Sequence, residues 1–253
     1  MLRAPVLTQD QIDSFHHNGY VFVPSAFAPA EAHLFDVWAR DLAERPEQVG
    51  SHWVYHEPSL RGDGTQLINR IENMTPFHAG YRELAESLRA GIGQLLGEEA
   101  VLFKDKINFK MPGGDGFKPH QDAQAGWETY ARYYINAMVT IDEATSENGC
   151  LEVAKRPDQP KLVGNEWEPL SIEQTALMEF KMLPTKPGDV LYFDAYVPHR
   201  SEPNTSDKIR RIYFATYNRL SEGDFLERYY ADKRQSFPPD IERIAGKEYV
   251  YRV

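Results

Sequence analysis

The sequence predicts an α+β fold, with helical patterns ahead of Val101 and strand patterns after it. Leu84, Leu88, Ile92, Leu95 and Leu96 recur at helical spacing and stop at Gly97. From Val101 onward, short apolar stretches alternate with turn residues, which reads as strands over 101–111, 131–141, 150–154, 179–183, 189–193 and 209–218. A chain of 253 residues buries about three quarters of its unfolded surface. No repeat or Ser/Gly linker divides it, so one domain over 1–253 is expected.

Taken in order, Thr8 with Gln11 resembles a capping box, opening a short amphipathic helix that runs to His17. Gly19 supplies a left-handed stop before a strand from Tyr20 to Val23. A second helix begins near Pro29 and is expected to bury Leu34, Val37, Trp38 and Leu42. His16, His17 and His33 fall on these helices as surface or packing residues. Residues 46–65 carry Pro46, Pro58, Gly62 and Gly64 and read as a long loop with at most short structure, of the kind that covers a site or reaches a substrate. His52 and His56 lie within it without an evident third ligand, so no second metal site is expected there. In the strand at 101–111, alternation puts Lys104, Lys106, Asn108 and Lys110 on one face, either lining a site for small anions or blunting an edge strand. Trp127, Tyr130, Tyr133 and Tyr134 then cluster as packing residues or as a cation-facing wall. The tail from Tyr229 to Arg234, followed by Pro238 and Pro239, is polar and aromatic together, fit to cover the barrel or to meet another subunit.

The net charge of −10 argues against nucleic acid and anionic membrane as partners, since both favour basic surfaces. The one cysteine, Cys150, excludes an intramolecular disulfide and fits a reducing compartment. With no apolar run of membrane-spanning length and no signal-peptide core in Met1 to Pro5, a cytoplasmic location is expected. The partner expected is a small-molecule substrate, and the protein is expected to be a monomer or homodimer.

One constellation carries chemistry. His120-Gln121-Asp122 is followed by His199, 77 residues beyond Asp122, and by Arg210, eleven further on. Two imidazoles and a carboxylate fill one face of a six-coordinate metal, the arrangement of non-haem Fe(II) oxygenases. In an extended strand His120 and Asp122 point the same way, with Gln121 as a spacer facing opposite. Gly113, Gly114, Gly116 and Pro119 place a turn before the pair, and Val190 to Phe193 reads as a buried strand shortly before His199. Arg210 sits in a strand-like apolar run, where a guanidinium needs an anionic partner such as a dicarboxylate co-substrate. Its neighbour Arg211 points oppositely in a strand, so only one of them faces the barrel, and the spacing favours Arg210.

This set, with Asn148-Gly149-Cys150-Leu151, Leu7 to Ile12, Gly19 to Pro24 and Pro187 to Val190, resembles the phytanoyl-CoA dioxygenase superfamily of Fe(II)- and 2-oxoglutarate-dependent oxygenases. Ala154-Lys155-Arg156-Pro157-Asp158 departs from the Pro-Gly-Ser-His element that many members carry there. The resemblance implies a double-stranded β-helix, a jelly-roll or cupin-like barrel with the N-terminal helices packed on it. It implies that His120, Asp122 and His199 ligate Fe(II), and that Arg210, supported by Ser201, holds the far carboxylate of 2-oxoglutarate. Asn108 then contacts the co-substrate, and Met138 is an apolar wall. O2 is the second co-substrate, with succinate and CO2 as products. The carboxylate at Asp122 favours hydroxylation over halogenation, which needs a small residue there.

Lys104 to Lys110, Pro198 to Asn204 and the Tyr229 to Arg234 tail are similar to family members that hydroxylate aminoalkylphosphonates. That similarity implies 2-aminoethylphosphonate or an N-methylated analogue as substrate. Its phosphonate would meet Lys104, Lys106 and Lys110 or basic residues of the 46–65 loop, and its ammonium would lie on Trp127 and Tyr130. Alternatives are an oxygenase of natural-product or osmolyte biosynthesis, a zinc hydrolase, and a non-enzymatic jelly-roll binding protein.

Overall fold

A computed structural model describes residues 2–249. The N-terminal part contains α1 (Gln9–Asn18), β1 (Tyr20–Val23), α2 (Pro29–Glu44), β2 (Trp53–Pro58), β3 (Gln66–Glu72) and α3 (Ala79–Leu96). Strands then dominate: β4 (Ala100–Lys110), β5 (Phe117–His120), β6 (Ile135–Thr140), β7 (Leu151–Val153), the single turn α4 (Ile172–Thr175), β8 (Lys181–Leu183), β9 (Val190–Asp194), β10 (His199–Ser201), β11 (Arg210–Arg219) and α5 (Leu226–Ser236). A seven-stranded sheet in the order β1-β9-β6-β11-β4-β3-β2 faces a four-stranded sheet in the order β5-β10-β7-β8. The named pairs are antiparallel, as the double-stranded β-helix requires.

Alternation along the long strands explains the layering. On β11, Tyr213, Ala215 and Tyr217 pack outward against α3 residues such as Leu84, Leu88 and Ile92. The other parity, Ile212 and Phe214, points inward and meets Leu151 and Val153 of the smaller sheet. The inner face of the seven-stranded sheet thus becomes the wall on which a site can be built.

Several local expectations hold. Thr8 and Gln11 exchange the capping-box hydrogen bonds, and Gly19 (φ 85) and Gly97 (φ 75) end α1 and α3 in the left-handed conformation that glycine alone adopts without cost. Others are corrected. On α2 the buried face is Ala32, Phe35, Ala39 and Leu42, whereas Leu34 and Val37 are each 41% exposed. Small Ala32 and Ala39 let the helix sit close to its neighbours while Phe35 fills the gap. The short structure allowed within the 46–65 segment is β2 at 53–58, which pairs with β3. β4 lies between β11 and β3, which rules out the edge-strand reading of its lysines. Residues 131–134 lie outside β6. Among the described residues no helix is long and apolar enough to cross a membrane.

Candidate metal and substrate site

β5 and β10 run side by side with His120 and His199 in direct register, so the imidazole centroids lie 4.2 Å apart. The chain leaves β5 at His120 and enters a 3-10 turn at Asp122. Asp122 therefore reaches the histidines from a turn and not from a continuing strand. His120 Nε2 and His199 Nε2 each lie 4.0 Å from an Asp122 carboxylate oxygen, and the three ligand atoms fall within 4.8 Å of one another. No other such group of three occurs among the described residues.

Both rings are fixed in the tautomer a metal needs. His120 Nδ1 donates to the Lys118 carbonyl (2.7 Å) and His199 Nδ1 to the Val197 carbonyl (3.0 Å), which turns each Nε2 lone pair toward the centre. Burial and the neighbouring His199 push the His120 pKa down to about 3, and burial lowers that of His199. Burial would raise Asp122, but His199, Lys104 and Lys106 hold it below its usual value, so the set is two neutral imidazoles and a carboxylate. Asn136 Nδ2 donates to Asp122 Oδ2 (2.9 Å), and Thr216 Oγ1 donates to Asn136 Oδ1 (2.6 Å). The sequence reading missed this pair, because nothing marks an amide and a hydroxyl inside strands as supports of a ligand.

An inner cavity behind the triad is lined by Asn108, Ser201 and Arg210 among others. Arg210 is 2% exposed, and its guanidinium has no hydrogen bond or ion pair to a described residue; burial pushes its pKa down to about 10. Asn108 Oδ1 is likewise buried without a partner. Arg211 points the other way, onto Asp142 (2.7 Å) and Asp36 (2.6 Å). A buried guanidinium left without an anion is costly, so the donor set and this orphaned cation fit a metal plus a carboxylate-bearing co-substrate. Met138 is corrected: it packs with Leu191, Phe193 and Ile212 and does not line the cavity.

An outer cavity of about 410 Å³ opens over His120 and Asp122. Lys104 and Lys106 line it, each without an ion pair to a described residue, and burial together with the Lys106 charge pushes the Lys104 pKa well down. Arg70 and Arg243 add positive charge, while Glu57 and Asp115 stand on the same wall system. Glu57 accepts from the Asp115 amide (3.2 Å) and from Asn69 Nδ2 (2.8 Å), which fixes its carboxylate in place.

Three further expectations change here. Lys110 is 1% exposed and sends its ammonium to Ser201 Oγ (2.7 Å) and the Glu202 carbonyl, away from the outer cavity. Its burial beneath Arg210 lowers its pKa to about 6. Trp127 does line the cavity, but Lys104 Nζ already stands 4.0 Å from its ring centroid. Tyr130 lies outside it, bonded to Asp232 (2.8 Å) and covered by Arg228 (5.2 Å). The 46–65 segment contributes Tyr55, His56 and Glu57 to the outer cavity, while Arg61 pairs with exposed Asp207 (2.9 Å) outside it. Within that segment His56 contacts Asp240 (3.1 Å) and Glu47 (3.3 Å). The tail helix α5 packs on β4, covering the barrel within the chain.

Comparison with known proteins agrees with this geometry. The phytanoyl-CoA dioxygenase family model matches residues 15–212. A 2-aminoethylphosphonate dioxygenase of an uncultured bacterium, HF130_AEPn_1, is 41% identical over 96% of this chain and 93% of its own. A methylphosphonate hydroxylase of Gimesia maris is 37% identical over 91% of this chain and 88% of its own. Among solved structures, EctD from S. alaskensis with 2-oxoglutarate and 5-hydroxyectoine superposes with a TM-score of 0.73 at 22% identity, covering 85% of this chain and 77% of that one.

Proposed function

Because the chain belongs to the phytanoyl-CoA dioxygenase family and is a 2-oxoglutarate-dependent dioxygenase, we propose that it hydroxylates 2-aminoethylphosphonate, or an N-methylated analogue, at the carbon next to phosphorus. Succinate and CO2 are the co-products. The observation that carries the substrate class is the pair of ammonium groups, Lys104 and Lys106, that face the cavity beside Asp122 with no carboxylate of their own among the described residues. Two relatives whose names are those of phosphonate-oxidising enzymes support it.

In this reading His120, Asp122 and His199 hold Fe(II), which when bound supplies O2 activation coupled to oxidative decarboxylation of 2-oxoglutarate. The chain's own groups do the rest. Arg210, with Ser201 beside it, pairs the far carboxylate of the co-substrate, and Asn108, through its Nδ2 donor, offers a hydrogen bond to the same ligand. Asn136 keeps Asp122 turned toward the imidazoles. Lys104 and Lys106, backed by Arg70, neutralise the phosphonate, an arrangement that relieves their mutual repulsion. The ammonium then faces Glu57 and Asp115, because the faces of Trp127 and Tyr130 are already met by protein cations. Charge at both ends orients the substrate so that the carbon beside phosphorus lies over the triad. A cavity of about 410 Å³ is of a size that holds a small zwitterion.

The test is aerobic incubation of the Fe(II)-loaded enzyme with 2-oxoglutarate and 2-aminoethylphosphonate, followed by phosphorus NMR and succinate assay. A new phosphorus resonance matched mole for mole by succinate is expected. No coupled turnover with any aminoalkylphosphonate, alongside efficient hydroxylation of a neutral or lipid substrate, would overturn the substrate and leave the enzyme class standing.

A further inference from the structure

The middle residue of the metal motif does more than separate two ligands. Gln121 and Gln124 are both fully buried, and both grip the long connection between β7 and β8. Gln121 Oε1 accepts from the Val163 amide (2.7 Å), and its Nε2 donates to the carbonyls of Lys161 (3.0 Å) and Tyr196 (2.7 Å). Gln124 Nε2 donates to the carbonyls of Asn165 (2.7 Å) and Glu168 (2.5 Å), while its own carbonyl accepts from the Trp167 amide (2.8 Å). A further bond joins the Leu170 amide to the Pro119 carbonyl (2.8 Å). Residues on both sides of Asp122 thus clamp residues 161–170 as a strap.

The strap delivers one side chain. Trp167 is held at φ 66, a left-handed conformation rare for a bulky residue and therefore imposed by its surroundings. Its indole rests against Gly126, where an added Cβ would stand 2.2 and 2.4 Å from two ring atoms. Trp167 lines the outer cavity and also the neighbouring cavity of about 550 Å³ that reaches Tyr130 and α5. Lys104, Lys106, Trp127 and Phe237 line both spaces as well, and Trp167 is the one of these five that the strap supplies. This same connection opens with the Ala154 to Asp158 stretch that departs from the family pattern.

We propose that Trp167, clamped through Gln121 and Gln124 and seated on Gly126, sets the width of the substrate cavity and so decides how bulky a phosphonate it admits. The proposal rests on the outer cavity being the phosphonate site. Removing the indole widens the cavity and gives bulkier phosphonates room without touching the metal ligands.

The experiment has two arms. The first compares kcat/KM for 2-aminoethylphosphonate and its N-trimethyl analogue, read by phosphorus NMR with succinate as the coupling check. Trp167→Ala is expected to shift the preference toward the bulkier compound by about tenfold or more and to release succinate in excess of product. Gly126→Ala, which pushes the indole from its seat, should move preference in the same direction. An unchanged preference and unchanged coupling in both variants would overturn the proposal. The second arm uses hydrogen exchange on the enzyme without substrate, where Gln124→Ala should speed exchange across 161–170 by about tenfold. Wild-type exchange there would overturn the clamp whatever the substrate proves to be. If the wild-type enzyme turns over no phosphonate at all, the substrate reading fails and the exchange arm still decides the clamp.

Discussion

Arg210 and Arg211 are adjacent in sequence and opposite in consequence. Arg211 is neutralised twice on the outer face, while Arg210 stands alone beside the triad. Arg210→Ala should therefore weaken 2-oxoglutarate binding by several kcal/mol, on the order expected for stranding a buried carboxylate. Arg211→Ala should leave that affinity nearly unchanged and lower thermal stability instead. Titration of 2-oxoglutarate into the anaerobic Fe(II) enzyme, followed by its visible charge-transfer band, separates the two, and a larger affinity loss at Arg211 would contradict the strand parity. At the opposite wall, Glu57→Gln removes the charge proposed to meet the substrate ammonium and keeps an acceptor for one of the two bonds from Asn69 and Asp115. It should raise KM for 2-aminoethylphosphonate by about tenfold, the cost of one charge-assisted bond, and leave ethylphosphonate nearly untouched. Equal effects on the two compounds would show that Glu57 is structural.

Elements show why some of this was legible in the sequence and some was not. The triad and Arg210 were readable because ligand chemistry restricts residue type and spacing, and β-strand parity separates Arg210 from Arg211; the parity argument failed at Asp122, which reaches the histidines from a turn. Asn136, Thr216, Glu57 and Trp167 were not readable, because their roles arise only when β2, β6, β11 and the strap are brought together over long sequence distances. The α2 register failed for a different reason: Leu34 and Val37 are as apolar as core residues, but Phe35 and two alanines make the closer contact. The tail helix gives the clearest electrostatic consequence. Lys233 Nζ on α5 lies 2.5 Å from Glu72 on β3, which also holds Arg70 (2.7 Å). Burial alone would raise the Glu72 pKa, but Lys233 and Arg70 bring it down to about 2 from 4.5. A depressed carboxylate contributes stability that is fully present above its unfolded value and is lost as pH falls from about 4.5 toward 2, on the order of 3 kcal/mol. Urea midpoints of the metal-free protein between pH 6 and pH 3 should drop more steeply for wild type than for Glu72→Gln, and parallel slopes would remove the pair from the acid response.

For the whole molecule, a net charge of −10 coexists with a cavity whose wall carries Lys104 and Lys106 without ion pairs to described residues, so positive charge is concentrated locally where an anion would enter. The site is also divided between the sheets. His120 and His199 belong to strands of three or four residues in the smaller sheet, and Asp122 follows directly from one of them. Arg210, Asn108, Lys104 and Asn136 belong to strands of six to eleven residues in the larger one. Short strands open more readily than long ones, so amides of β5 and β10 should exchange faster than those of β4, β6 and β11 in the metal-free protein. Fe(II) should slow the first group, and 2-oxoglutarate should add protection only when the metal is present. Arg210→Ala is expected to abolish the second increment and spare the first, as hydrogen exchange with and without each ligand will show. With iron held by the smaller sheet and the far carboxylate held by Arg210 of the larger one, as proposed, the bound co-substrate would rivet the two layers together. Succinate keeps that far carboxylate, so the rivet would be lost on its departure and not on decarboxylation, and product release and loosening of the layers would become the same event.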